Sequence, residues 1–230
     1  MRVSVVIPAY NEGAYIEECI ASLKSQTIQP DEIIVVDNNS TDNTVKIAKD
    51  AGATVIYEKI QGISYARNTG FNAAQYEIIA RCDGDSRLPT DWIEKIKKRF
   101  ESDSTMVGLS GPGVVYDNLT IINNKPRIQS FLYFSATKAI QGYDTLFGSN
   151  MAILNKTWKI IKNETCMDNT KVHEDMDLAM HMHPYGSMLY DPTLIAHISS
   201  RRFKKNPLNA LEYLNRWVTT FIYHSHHYNK

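Results

Sequence analysis

The feature that most constrains this chain is a set of short β-branched runs that are apolar on both faces. They are Val3-Ser-Val-Val-Ile7, Glu32-Ile-Ile-Val-Val36, Ala53-Thr-Val-Ile-Tyr57, Ile78-Ile-Ala-Arg-Cys82 and Met106-Val-Gly-Leu109. Such a run offers no face to water, so it reads as a strand of a parallel sheet covered by helices on both sides. Between the first two, Ile16, Cys19, Ile20 and Leu23 follow the i, i+3, i+4, i+7 spacing of one buried helix face. Ser40 or Thr41 is placed to cap a second helix, and Asp91 with Glu94 forms a potential capping box for a helix carrying Trp92, Ile96 and Phe100. The progression β-α-β-α predicts an α/β, doubly wound, mostly parallel sheet in a single domain.

Beyond Gly111-Pro-Gly113 the pattern predicts a helix from about Pro126 to Ile140, a run Asn150–Leu154, a helix-like segment Glu174–Met182 and an amphipathic C-terminal helix. No linker divides the chain, so the expected organisation is two halves of one domain, 1–113 and 114–203, followed by a helix and tail over 204–230.

The charges narrow the function classes. Twenty-five Lys+Arg balance 25 Asp+Glu, which excludes the whole-chain field of a general nucleic-acid binder. The balance hides an asymmetry: residues 1–115 carry 12 Lys+Arg against 16 Asp+Glu, a net of −4, and residues 116–230 carry 13 against 9, a net of +4. Three cysteines without CxxC spacing argue against a disulfide framework and a zinc ribbon. The opening apolar run is short for a signal peptide and no 18 apolar residues run together, so a cytoplasmic protein is expected.

In open parallel sheets the chemistry sits beyond the carboxyl ends of the strands. Those segments are Pro8-Ala-Tyr-Asn-Glu12, Asp37-Asn-Asn-Ser-Thr-Asp42 and Asp83-Gly-Asp85. One crevice would hold a ring, amides and several carboxylates. No GxGxxG or GxxxxGK[ST] occurs, which counts against a nicotinamide oxidoreductase and a P-loop NTPase. Asp83 and Asp85 supply hard oxygen ligands suited to Mg²⁺ or Mn²⁺ bridging a diphosphate. Arg87 and Leu88 stand where an EF-hand needs a donor and a glycine.

Together these segments resemble the family 2 glycosyltransferases, an inverting group with the GT-A fold, over nearly the whole chain to about Phe203. Val5-Val-Ile-Pro-Ala-Tyr-Asn-Glu12 is similar to the family's opening strand and loop, and Val35-Val-Asp-Asn-Asn-Ser-Thr-Asp42 to its second. The resemblance implies that Pro8, Ala9, Tyr10, Glu12 and Asp37 surround the nucleotide, with Asp37 on the base and Tyr10 stacking on it. Gly62-Ile-Ser-Tyr-Ala-Arg-Asn-Thr-Gly70 resembles the segment near the diphosphate, where Arg67 meets either phosphate or a neighbouring Asp such as Asp83. Asp83-Gly-Asp85 stands at the family's metal motif: Asp85 on the ion, Asp83 beside it on the ribose or through water. His197 aligns with a histidine that completes the metal shell in many GT-A enzymes. Gly148-Ser149-Asn150 and Glu174 match acceptor-side elements, and Asp175 holds the position of the catalytic base.

The implied reaction is divalent-metal-dependent transfer of one sugar, with inversion, from a nucleotide diphosphate donor, UDP by family habit, to a hydroxyl of a saccharide or lipid-linked acceptor. Glu174 and Asp177 are expected on the helix surface or behind the catalytic groups. Ser199-Ser-Arg-Arg-Phe203 departs at Gln and Trp from the Q-x-x-R-W element of processive members, yet Arg201 or Arg202 can clamp the departing diphosphate. His173, His181 and His183 lack HExxH spacing and a Cys partner, which disfavours zinc. His224, His226 and His227 are expected to be exposed. From Ile198 to Lys230 the net charge is +5 along an amphipathic helix with Trp217 and Phe221; such a helix packs on the domain or lies peripherally on an anionic membrane face. Two rivals are a sugar-nucleotide pyrophosphorylase, which lacks its glycine-rich basic loop here, and a non-catalytic nucleotide-sugar-binding module.

Overall fold

A computed structural model describes residues 1–117, 126–201 and 209–227, with side chains described except at 126–130, 209–214 and 226–227. The expected strands are present as β1 (Val3–Ala9), β2 (Glu32–Asp37), β3 (Thr54–Tyr57), β4 (Ile78–Cys82) and β5 (Met106–Ser110). Short strands β6 (Gly113–Val115), β7 (Asn150–Leu154), β8 (Ser187–Tyr190) and β9 (Ala196–Ile198) follow. The helices are α1 (Ile16–Lys24), α2 (Thr44–Asp50), α3 (Ile63–Ala73), α4 (Trp92–Ser102), α5 (Pro126–Gln141), α6 (Asn155–Ile161), α7 (Glu174–Met182) and α8 (Asn209–His227).

Seven strands form one sheet in the order β3-β2-β1-β4-β7-β5-β8, and β6 pairs with β9 in a small second sheet. All pairings in the large sheet are parallel except those of β7, which runs antiparallel to both β4 and β5. Every residue of β1, β4, β5 and β7 is buried. Helix α1 buries Ile16, Cys19, Ile20 and Leu23, the face its periodicity predicts. The three cysteines are free and buried.

The capping expectations are corrected. Helix α2 begins at Thr44 with Asn43 at its N-cap and no side-chain cap bond. Ser40 and Thr41 instead join the first two strand-end loops: Asn11 N–H donates to Ser40 Oγ (3.0 Å) and Thr41 N–H to Asn11 Oδ1 (2.8 Å). Asn11 and Asn39 sit at left-handed φ of 54° and 66°, which asparagine tolerates because its short polar side chain bonds locally. Asp91 and Glu94 make no capping box; each pairs with the lysine four residues on, Lys95 and Lys98.

Candidate active site

Strand β1 has β2 on one side and β4 on the other, so the chain reverses its winding direction between β1 and β4. A crevice opens beyond their carboxyl ends at such a point. The Glu12 carbonyl accepts the Tyr15 and Ile16 amides at 2.8 and 2.9 Å and so starts α1, while its side chain turns inward against the loop after β4. There a Cβ on Gly84 would lie 2.9 Å from Glu12 Cγ, so the close approach of Asp83-Gly-Asp85 to Glu12 requires glycine.

Glu12, Asp83 and Asp85 are thereby gathered. Burial pushes the Glu12 carboxyl up to about 7, Asp85 and Asp83 adding to the rise and Arg201 pulling against it. Arg201 Nε donates to Asp85 Oδ2 at 2.7 Å, its Nη2 donates to Glu12 Oε1, and its guanidinium lies 4.6 Å from the Tyr15 ring centroid. Glu12 Oε2 is buried without a hydrogen-bond partner. Two guanidinium groups border these three acidic side chains, Arg201 on Glu12 and Asp85, and Arg81 3.9 Å from Asp83. The Asp83 and Asp85 carboxylates are hard oxygen donors of the kind a Mg²⁺ or Mn²⁺ ion takes, and the neighbouring loop carries an orphaned buried Glu12 oxygen, so the chemistry of these residues fits a divalent cation. Tyr116, which sequence reasoning missed, donates its hydroxyl to the Asp85 carbonyl at 3.2 Å.

Pro8 and Ala9 close β1, with Ala9 level with Asp37 in the ladder. Asp37 is buried and its Oδ1 accepts the Ser40 amide at 3.2 Å, the turn bond that a local structural role would give it. Tyr10 is 50% exposed at the crevice mouth and free to stack. His197 lies on β9, its amide and carbonyl bonded to Arg87 at 3.0 and 2.8 Å, two residues beyond Asp85. Burial and the Arg87 charge hold its imidazole pKa below the ordinary value, favouring the neutral, ligand-competent form.

Because β7 is antiparallel, its amino end lies beside the carboxyl end of β4, with Asn150 opposite Cys82. This brings Gly148 and Ser149 to the crevice: Ser149 Oγ donates to Asp83 Oδ2 (2.6 Å) and Gly148 N–H to Asp175 Oδ2 (2.8 Å). Asn150 is corrected. Its Oδ1 accepts from Trp92 Nε1 at 2.8 Å and its Nδ2 donates to the Pro112 and Leu194 carbonyls, so a fully buried amide is consumed by the scaffold and does not face an acceptor.

Asp175 stands at the start of α7 and is 3% exposed, enclosed rather than open to the crevice. Its Oδ1 lies 2.5 Å from His173 Nδ1. Against the opposing effect of burial, His173, the Gly148 amide and Arg81 bring its pKa down to about 2.

For Arg67 the carboxylate partner is Glu174 rather than Asp83. Arg67 is fully buried and donates to the Glu174 carbonyl (2.8 Å) and Oε2 (2.6 Å). Arg81, also unanticipated, donates to Glu174 Oε1 from β4 and lies 3.9 Å from Asp83. Glu174 is thus not on the helix surface; it joins α3, β4 and α7 from behind the catalytic groups, the other place expected for it. An arginine inside an apolar run was the signal, since a buried cation demands an anion. Asp177 is fully buried as well, and His224 is bonded to it at 2.8 Å rather than exposed. Arg202 lies outside the described residues.

The described face of α8 packs on the domain: Trp217 Nε1 donates to Thr137 on α5 (3.1 Å) and Thr220 Oγ1 accepts the His173 amide (2.7 Å). Among the described residues no helix is long and apolar enough to cross a membrane.

The fold recurs in solved structures. Staphylococcus aureus TarS, crystallised in complex with UDP-GlcNAc, superposes with a TM-score of 0.67 at 19% identity, over 87% of this chain and 59% of that one. The mannosyltransferase PcManGT of Pyrobaculum calidifontis, in complex with GDP-Man and Mn²⁺, gives 0.68 at 22% identity over 86% and 56%. These matches define a GT-A fold. The sequence profile of glycosyl transferase family 2 matches residues 4–158, and the chain belongs to that family. Among curated relatives, the uncharacterized glycosyltransferase EpsJ of Bacillus subtilis is 37% identical over 106 residues, 44% of this chain and 31% of EpsJ. Escherichia coli chondroitin synthase is 34% identical over 109 residues, 45% of this chain and 16% of the synthase. The chain thus matches about a third or less of those relatives' length.

Proposed function

We propose that this protein is an inverting glycosyltransferase that moves a single sugar from a nucleotide diphosphate donor, UDP first among the candidates, to an acceptor hydroxyl. The observation that carries this reading is that the loops after β1 and β4 bring Glu12, Asp83 and Asp85 to the β1/β4 switch point, with one Glu12 oxygen buried and unpartnered. Asp85 and Asp83 would hold a divalent cation, which when bound neutralises the charge growing on the leaving diphosphate.

The remaining work falls to the chain itself. Tyr10 and Asp37 border the place for the base, and Arg201, already at the carboxylates, is within reach of a diphosphate seated there. Asp175, ionised beside His173, is the residue assigned to take the hydroxyl proton as the acceptor oxygen bonds to the anomeric carbon. This requires the acceptor to open the cover over its buried carboxylate. The bond from that carbon to the diphosphate oxygen breaks, its electron pair leaving with the nucleotide. Gly148 and His173 fix both oxygens of the base, and Ser149 links the same loop to Asp83.

The test is transfer and donor binding measured side by side for Asp175→Asn. The reading expects loss of transfer by at least about 10²-fold, the scale of general-base catalysis, with donor affinity kept. Normal transfer by that variant would remove Asp175 from the mechanism.

A further inference from the structure

Away from the crevice, the other face of α7 meets α8 at a cluster with different chemistry. Asp177 and His181, four residues apart, share one face of α7, and His224 comes from α8, 43 residues farther along the chain. Asp177 Oδ1 lies 2.8 Å from His224 Nε2 and 3.5 Å from His181 Nε2. The three ligand atoms all fall within 4.8 Å of one another.

We infer that Asp177, His181 and His224 form a transition-metal site of the zinc class that fastens α8 to α7, separate from the carboxylate site. The spacing suits this. Bonds of about 2.0–2.1 Å to a tetrahedral ion put neighbouring donors about 3.4 Å apart, so the Asp177–His181 separation already fits and the Asp177–His224 pair opens by well under an ångström. Burial points the same way: Asp177 has no exposure and the His224 side chain only 12%. A carboxylate withdrawn that far from water needs strong compensation.

The surroundings are those of a liganding set as well. The second Asp177 oxygen accepts the Cys166 amide at 2.8 Å, leaving Oδ1 to the histidines. Glu164 Oε2 stands 3.6 Å from His181 Nδ1, so His181 presents Nε2 inward with a carboxylate behind its other nitrogen, the arrangement that orients histidine ligands. Two imidazoles and one carboxylate favour Zn²⁺ or Co²⁺ over the Mg²⁺ or Mn²⁺ that an all-oxygen set takes. The short HEDMDLAMH segment hides this site because its third ligand lies on another helix; His183, which looked like a member, stacks instead on Tyr143.

The test is Co²⁺ titration of the whole chelator-treated protein, following the visible d–d band, with Zn²⁺ added afterwards to displace it. The expected result is one equivalent of Co²⁺ with a tetrahedral-type band in the wild type and in Asp85→Asn, and at least a tenfold loss of affinity in His224→Gln and His181→Gln. Far-UV circular dichroism confirms that each variant is folded, and if His181→Gln is not, His224→Gln alone decides. A wild type that gives no band, a band abolished by Asp85→Asn, or a band unchanged in the folded histidine variants would overturn the site and leave a hydrogen-bonded Asp–His–His cluster. Since the readout is independent of sugar transfer, failure here does not bear on the proposed enzyme.

Discussion

Replacing Glu174 by Gln tests the buried ion network behind the site. The Arg67 side chain has no exposure, Arg81 3% and Glu174 9%, and the one carboxylate serves both guanidinium groups. The substitution removes the anion while leaving two cations in the interior. Breaking a single buried pair costs about 3–5 kcal/mol. Here two pairs are broken, but each arginine keeps partial compensation: Arg67 retains the Glu174 carbonyl and Asn68, and Arg81 retains Asp83 at 3.9 Å. The loss should therefore stay at about 3–5 kcal/mol rather than double, which for a chain of this size lowers Tm by about 6–20 °C. Urea unfolding followed by tryptophan fluorescence, with an unchanged slope, reads it directly. Adding Arg67→Met should restore part of the loss, because one uncompensated cation is then gone. A Glu174→Gln protein within about 1 kcal/mol of wild type would refute the view that this carboxylate neutralises both arginines.

Two other outcomes follow from charges near the site and at the sheet edge. Arg201→Ala removes the guanidinium that sits against Glu12 and Asp85, so Mn²⁺ binding to the donor-free protein should tighten several-fold while donor affinity falls; titration calorimetry showing weaker Mn²⁺ binding would contradict the site. Burial acts to raise the Asp191 pKa, but Arg99, at 2.6 Å, and Thr193 outweigh it and leave it below the ordinary value. Its stabilisation is complete above the unfolded-state pKa of about 3.9 and is lost as pH falls through the lower folded value, so Asp191→Asn should flatten the acid limb of urea midpoints measured from pH 7 down to 2.

How much of this was readable before the structure depended on the range of the interaction. Val3–Ile7, Glu32–Val36 and Ile78–Cys82 were legible as strands because short runs rich in β-branched residues and apolar on both faces leave only a covered sheet open to them. The loops after β1, β2 and β4 were legible as one site because a doubly wound sheet puts its strand ends together. Helix α3 was not read as a helix: Gly62 and Gly70 with Ser64, Asn68 and Thr69 look like a loop, yet Gly70 is there to let α3 lie against Val6 and Val36, which a Cβ would meet at 2.3 and 2.8 Å. Long-range pairing left no local trace. Arg67 finds its anion 107 residues away, and Asn150 looked like an acceptor contact because nothing nearby in sequence names Trp92, Pro112 and Leu194 as its partners. His224 was dismissed for the same reason.

The account's central claim is that the carboxylates at the β1/β4 crevice bind a nucleotide sugar through a divalent cation. A panel of UDP, GDP, CMP and dTDP sugars, scored by thermal shift with and without Mn²⁺, tests it most directly. One nucleotide class, UDP by expectation, should raise Tm by several degrees only when Mn²⁺ is present, and Asp85→Asn should abolish the shift. Stabilisation that is equal with and without Mn²⁺, or that survives Asp85→Asn, would contradict it.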